Sequence, residues 1–390
     1  MVCVCCGQGF PNGMAQVSRI RMVGKALVAE GCQFTVWNIG AGPCPNSASR
    51  GVIDGIHFEY HPGPTVRPDS FWRRQWLYAC GLMQVCFRLF MLRREQTDLC
   101  VYLWFDEGRF RFVYRFLRII GIPIIQEVNE WWPWSGKRSN RNWTTKMTQG
   151  SLVISRPIMK RLKALPSYRS DHRTLHLPIL IDPDHWGAGV SGCDDHPIPA
   201  HELPYVLWCG NMDCSDQDID FLLGVTRTVN ESEPCRLVLV GKYRDATRTR
   251  IHATAASLGL DADLVCLTGF VSDDELNRLM QRATALLLPL WETERSVCRF
   301  ATKVGHYLAS AAPVVSTALG DLSHYLQDGQ SAFLVPSGDV EAFSDKIVFL
   351  ARNKEQAKAI GRAGRLAAIR HFSIESNRST IARFFSEAAR

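Results

Sequence analysis

Residues 285–317 read ALLLPLWETERSVCRFATKVGHYLASAAPVVST. An apolar run closes at Pro289, and a polar loop follows with Glu292, Glu294, Arg295 and Arg299. Next come a short amphipathic segment, 302–310, and a second apolar run, 313–317. The order predicts strand, loop, helix, strand. A helix that begins where the loop's charges end turns its unbonded N–H groups and positive dipole end toward the same crevice. Such an end is suited to an anion, and to a diphosphate in particular.

Working outward, the second half of the chain repeats this pattern. Apolar runs at 205–209, 237–240, 264–268, 285–288 and 314–316 predict strands with helical segments between them. Ser272 to Glu275 has capping-box spacing at the start of one helix, and another helix is predicted over 339–352. The first half opens with an apolar strand over 1–6, the glycine loop 7–13 and a helix with Val17, Ile20, Val23 and Leu27 on one face. Gly31 lies just past that helix, and 34–39 is the next strand, which makes a βαβ opening of the Rossmann kind. A strand at 99–105, a helix at 112–120 and a strand at 122–128 follow. Strands alternating with helices imply parallel sheets covered on both faces.

At 390 residues the chain exceeds a single core. The Pro-, Gly- and Asp-rich stretch 177–195 reads as a linker. The expected domains are 1–180 and 181–372, with 373–390 a C-terminal helix packing back on the first domain. The fold class is α/β, with two doubly wound domains facing across a cleft and ligands at the carboxyl ends of the strands.

The net charge of +7 hides an asymmetry. Residues 1–180 hold 24 Lys and Arg against 11 Asp and Glu, a net +13, while 181–390 hold 21 against 27, a net −6. A basic first half suits an anionic partner. The segment 71–94, FWRRQWLYACGLMQVCFRLFMLRR, is aromatic, apolar and basic without one acidic residue. It reads either as a core helix or as a helix suited to an anionic membrane surface. Fourteen cysteines are scattered rather than set in a framework, and Cys3, Cys5 and Cys6 have no CxxC partner elsewhere, which argues against zinc. No signal-peptide pattern precedes the first strand, and the uncharged run 75–87 is too short to span a bilayer. A reduced, cytoplasmic location is expected, peripheral at the inner face of the membrane.

The phrase HYLASAAPVV, the segments LWCGNMDCSDQDIDFLL, LVLVGKY, LTGFVSDDEL and DGQSAFLVPSGD, and their order over 203–339 together resemble retaining glycosyltransferases of family 4. RFATK at 299–303 is similar to the subgroup whose helix begins RFPTK. The resemblance implies a GT-B fold with two Rossmann-like domains. It implies transfer of a sugar from a nucleotide-diphosphate sugar to a glycan or lipid-linked acceptor, with retention. The Asp-x-Asp pairs at 182–184 and 261–263 do not follow a strand into a nucleotide pocket and read as turns, so no metal is expected, and no cofactor beside the nucleotide sugar. Nucleic acid is not among the expected partners. Donor-binding candidates are Gly9, Gly13, Gly210, Gly241, Lys242, Arg299, Thr302, Lys303, Val304 and His306. The candidates for catalysis are Glu130, Asn129 and Lys303, with Asp106 and Glu107 a second choice beside the first two.

The departures from the family pattern are specific. The basic pair expected after the first strand of the second domain falls near Asn211 and Asp216–Gln217. The paired glutamates fall on Cys298 and His306. Arg299 and Lys303 are placed to supply the missing charge, with Lys303 and His306 one helical turn apart and pointing into one crevice. Two alternatives stay open: an epimerase-like enzyme acting on the nucleotide sugar itself, and a catalytically degenerate glycan-binding protein that kept the fold.

Overall fold

The computed structural model describes residues 1–6, 9–13, 15–42, 46–96, 98–104, 110–131, 137–183, 185–186 and 202–389, with only the backbone given for 2, 3, 5, 6 and 137–140. The chain forms two compact units. Unit 1 comprises Met1–Leu180, Cys298–Phe300 and Ile374–Arg390; unit 2 comprises Ile181–Val297 and Ala301–Ser373.

In unit 1 the strands are β1 (Val2–Cys6), β2 (Thr35–Ile39), β3 (Arg50–Ile53), β4 (Ile56–His61), β5 (Val101–Leu103), β6 (Ile124–Val128), β7 (Gly150–Val153) and β8 (Arg173–His176). They form one sheet in the order β3-β4-β2-β1-β5-β6-β7-β8, parallel except for the β3–β4 hairpin. Asp54 and Gly55 turn that hairpin, both at positive φ, as a two-residue connection of this kind requires. The helices are α1 (Ala15–Ala29), α2 (Phe71–Glu95), α3 (Arg111–Ile119), α4 (Lys137–Met147) and α5 (Arg156–Lys163). α1 stops at Gly31, whose φ of 79° lets Gly31 and Cys32 donate back to Val28 and Leu27.

Each face of this sheet has its own core. On one, Leu82, Val85 and Leu89 of α2 and Val113, Tyr114 and Leu117 of α3 pack on Val4, Ile39, Val101 and Ile124. On the other, Val17, Ile20 and Leu27 of α1 meet Val36, Tyr102 and Ile125, together with Ile381, Phe384 and Phe385 of the last helix, Ile374–Ala388. Those three side chains contribute roughly 5–9 kcal/mol of apolar burial before ordering entropy is charged against them.

Unit 2 carries β9 (Tyr205–Cys209), β10 (Arg236–Val240), β11 (Val265–Gly269), β12 (Ala285–Leu288), β13 (Val314–Thr317) and β14 (Phe333–Val335). All pairings are parallel, in the order β11-β10-β9-β12-β13-β14, the doubly wound arrangement. The strands RLVLV, ALLL and VVST are buried throughout, which is why they read as unbroken apolar runs. The helices are α6 (Asp216–Asn230), α7 (Asp245–Ser257), α8 (Asp273–Arg282), α9 (Glu294–Cys298, passing into unit 1 at its last residue), α10 (Thr302–Ala309), α11 (Leu322–Tyr325), α12 (Val340–Arg352) and α13 (Lys354–Phe372). The helix Ile374–Ala388 is then α14. α8 starts in a full capping box between Ser272 and Glu275, and Asp339 caps α12 through the Ala342 N–H at 2.9 Å.

Candidate functional site

The strand order of unit 2 reverses between β9 and β12, so its crevice lies outside the carboxyl ends of those strands. β9 ends at Cys209 and passes into Gly210, and α10 connects β12 to β13. The Lys303 ammonium stands 4.2 Å from the centre of the Trp208 ring, a cation–π arrangement. Gly210 makes this possible. A Cβ there would lie 2.5 Å from Lys303 Nζ and 2.6 Å from the Trp208 ring. Gly241, at φ 133°, lies against the Gly210 carbonyl, which a Cβ would approach to 2.0 Å. The two glycines let backbone, lysine and indole share one narrow space.

Charge is balanced locally. Burial holds the Lys303 ammonium below its ordinary pKa, with Cys209 and Asp218 pulling the other way. Burial likewise raises Asp218, opposed by the Trp291 indole N–H at 2.8 Å and by Lys303. Fully buried Tyr307 accepts a hydrogen bond from the Cys209 N–H at 2.8 Å, tying α10 to the end of β9. Ala301, at the N-cap of α10, has no side chain to satisfy the first-turn N–H groups.

His306 lies in different surroundings from Lys303. Its ring stacks on Trp186 at 4.3 Å and 18°, and burial lowers its pKa to about 4, with Asp273 raising it and His185 lowering it further. The imidazole is neutral at pH 7. α10 thus presents Lys303 to Trp208 and Asp218, and His306 to Trp186 and Asp273, rather than both to one set of partners. Val304, expected among the donor-binding residues, has a fully buried side chain and an N–H bonded to the Ala301 carbonyl at 3.1 Å. Thr302 is exposed at the helix start, as is Lys242 after β10, whose carbonyl accepts from the Met212 N–H at 3.0 Å. Arg244, next along, is paired with Asp213 at 3.2 Å.

Unit 1 gathers a second group. Arg299, expected among the residues of the second domain, belongs to unit 1, where its guanidinium is 3.4 Å from the Glu130 carboxylate. Ser155, the N-cap of α5, donates to the Cys298 carbonyl at 2.6 Å and helps to hold the segment 298–300 there. Asn129, beside Glu130 after β6, keeps its side-chain oxygen buried without a hydrogen-bond partner among the described residues. Glu127, within β6, is buried with Arg19 at 3.3 Å and the Tyr102 hydroxyl; burial raises its pKa against both. This pair fixes the sheet to α1.

The glycine loop after β1 is held by two asparagines. Asn38 accepts from the Phe10 N–H at 2.9 Å and donates to the Phe10 carbonyl at 3.0 Å. Asn46 donates to the Gly9 carbonyl at 2.7 Å and to Tyr60, and accepts from the Asn12 N–H at 3.1 Å. Gly9, at φ 80°, packs against Gly42, while Gly13 is exposed. Residues 7 and 8 of that loop, Asp106, Glu107 and the tryptophans at 132 and 134 lie outside the described residues. Among the described residues no three His, Cys, Asp or Glu side chains gather as a metal site.

The surroundings of Lys303 escape sequence reasoning because Trp208, Asp218 and the Trp291 that bonds Asp218 come from a strand, a helix and a loop far apart in the chain. The burial of Val304 was open to detection: with Tyr307 and Leu308 it forms an i, i+3, i+4 apolar face.

The family model described as Glycosyl transferases group 1 matches residues 203–353, most of unit 2. By sequence, no curated protein matches the chain. Among solved structures, a glycosyltransferase from Rickettsia africae is 14% identical, with a TM-score of 0.72, covering 99% of this chain and 97% of that one. The sucrose-phosphate synthase of Thermosynechococcus elongatus is 14% identical over 98% of this chain and 97% of its own, with a TM-score of 0.70. Anabaena HepE in complex with UDP is 14% identical, with a TM-score of 0.69 and 98% of both chains covered. The architecture is that of GT-B glycosyltransferase structures, with two Rossmann-like domains.

Proposed function

We propose that this chain is a retaining glycosyltransferase of family 4 type that moves a sugar from a nucleotide-diphosphate sugar to a glycan or lipid-linked acceptor, without a metal or added cofactor. One observation carries the reading: Lys303 is held over Trp208 at the switch point of unit 2, beside the uncapped start of α10. A lysine in the first turn of a helix is locally unfavourable to the dipole, and a bound diphosphate reverses that penalty. The side chain would stand in for the basic pair missing near Asn211 and Asp216–Gln217. It would offset the charge that grows on the departing diphosphate, so that catalysis rests on electrostatic stabilisation and on positioning of the acceptor. The match of 203–353 to the group 1 model and the UDP held by the Anabaena protein support a nucleotide-sugar donor.

Glu130 and Asn129 are the residues of unit 1 assigned to the transferring sugar, with Arg299 paired to the Glu130 carboxylate. The basic first half suits an anionic acceptor, and the proposal includes a cytoplasmic location with peripheral contact to an anionic membrane. The second reading, a catalytically degenerate glycan-binding protein, is favoured by one feature: His306, standing where the family has a glutamate, spends its ring face on Trp186.

Calorimetric titration with UDP, GDP and ADP in a chelator tests the donor site, and release of free nucleoside diphosphate from a nucleotide sugar with added acceptors tests turnover. Binding with turnover supports transfer; binding without turnover on any acceptor favours the second reading. Binding by none of the three until magnesium or manganese is added removes the metal-free claim.

A further inference from the structure

α2 is 25 residues long, about 37 Å at 1.5 Å per residue, and caps its first turn with Ser70. One face does the work of a core helix: Leu77, Leu82, Val85 and Leu89 are buried, the last three in the core against the sheet. The opposite face should then be polar, and it is not. Trp72, Trp76, Met83, Phe87 and Phe90 fall at i, i+4, i+11, i+15 and i+18, which places them in one straight stripe. All are exposed, Trp72 at 79%, Trp76 at 66% and Phe87 at 66%. An outward apolar stripe along a whole helix is a docking surface rather than a chance of composition.

The charges around it select the partner. Arg73 and Arg74 flank the stripe at its start, and Arg94 ends it with its guanidinium 4.9 Å from the Phe90 ring. No acidic residue occurs from Phe71 to Arg94. A second copy of the chain laid on this face would bring arginine against arginine, which disfavours self-association. α3, packed beside α2 on the same side of the sheet, adds exposed Phe112 and Ile119 with Arg115 and Arg118. Among the described residues no helix is long and apolar enough to cross a membrane.

We infer that α2 lies in the plane of an anionic lipid bilayer, with its aromatic stripe in the acyl boundary and its arginines at the headgroup phosphates. The two tryptophans anchor the amino end, where an amphipathic ring prefers the interface. The inference rests on the membrane contact included in the reading above, and not on the transferase chemistry.

The test is sedimentation of the full chain with vesicles of phosphatidylglycerol and phosphatidylcholine, and with phosphatidylcholine alone, at low and high salt. The parent should bind the anionic vesicles and lose most of that binding at high salt. Trp72→Glu/Trp76→Glu, at exposed positions, should weaken partition by about tenfold or more, and Arg73→Glu/Arg74→Glu should abolish the preference for anionic lipid. Calorimetry with UDP on the same variants should match the parent, which separates loss of docking from loss of the donor site. If nucleotide binding fails in every protein while vesicle binding persists, the docking surface stands without the transferase reading. Parent and Trp72→Glu/Trp76→Glu binding vesicles alike, or a parent dimer that the variant converts to a monomer without vesicle binding, would overturn the inference.

Discussion

Gly210→Ala tests the crowding at the end of β9 directly. The added Cβ would lie 2.5 Å from Lys303 Nζ and 2.6 and 2.8 Å from two carbons of the Trp208 ring. Carbon contacts settle near 3.5–4.0 Å, so about 1 Å of movement is needed. Lysine can swing away, but Trp208 is 1% exposed and has nowhere to go. Overpacking of this kind costs about 1–3 kcal/mol. Gly210 is not among the residues at positive φ, so alanine also gains about 0.4–1 kcal/mol by restricting the unfolded chain. The net expectation is about 1–2 kcal/mol of destabilisation, or about 3–6 °C in Tm for a unit of this size. Lys303 would be displaced first, so UDP affinity should fall by roughly tenfold, the scale of one charge-assisted hydrogen bond. Urea and thermal melts followed by calorimetry measure both effects. In a Lys303→Ala background the stability cost should shrink but persist, because the Trp208 overlap remains. A Gly210→Ala protein as stable as its parent, or more so, with unchanged UDP affinity would refute the geometry.

Gly241→Ala should cost more than Gly210→Ala in the same melts, because its Cβ would meet the Gly210 backbone at 2.0 Å with φ at 133°, and backbone cannot swing aside. Asp218→Asn keeps an acceptor for Trp291 while removing the charge opposite Lys303, so UDP should bind more tightly; Lys303→Met should bind it more weakly by roughly 1–3 kcal/mol, and calorimetry showing neither change would remove Lys303 from the donor site. His306 and His172 both titrate at about 4 in the folded protein because burial opposes their charge, against 6.5 when unperturbed. The unfolded state therefore binds more protons between those values, and stability should be complete above about pH 6.5 and fall as pH drops toward 4, by on the order of 2 kcal/mol per histidine at pH 5. His306→Gln and His172→Gln should each flatten that slope in urea titrations across the window; an unaltered slope would place the rings in solvent.

The fold was legible where burial was two-sided. Arg236–Val240, Ala285–Leu288 and Val314–Thr317 are buried on both faces, so each stands out as an apolar run bounded by turn residues. The β3–β4 hairpin is faint in the sequence, although VIDGI carries the Asp-Gly turn, because β3 is a short edge strand with alternating exposure and β4 mixes His and Glu into its pattern. For the site, Lys303 could be singled out from the helix start alone. Its surroundings could not, since Trp208, Asp218 and Trp291 converge only through the order of the strands. Arg299 shows the limit most clearly: four residues from Lys303 in sequence, it belongs to the other unit and pairs with Glu130. Proximity along a chain says little about a segment that crosses between units.

The placement of α14 in unit 1 has a consequence for how the polypeptide is made. The sheet face that holds Tyr102 and Ile125 is finished only by Ile381, Phe384 and Phe385, with the Tyr102 and Phe385 rings 5.4 Å apart. A ribosome that has delivered residues 1–180 needs roughly 10–40 s more to release those three side chains, at about 5–20 residues per second. During that interval the first sheet is half roofed, whereas every strand of unit 2 emerges before α14 does. The second half of the gene product can therefore finish folding before the first, and the nascent first half is the stretch that calls for chaperone cover.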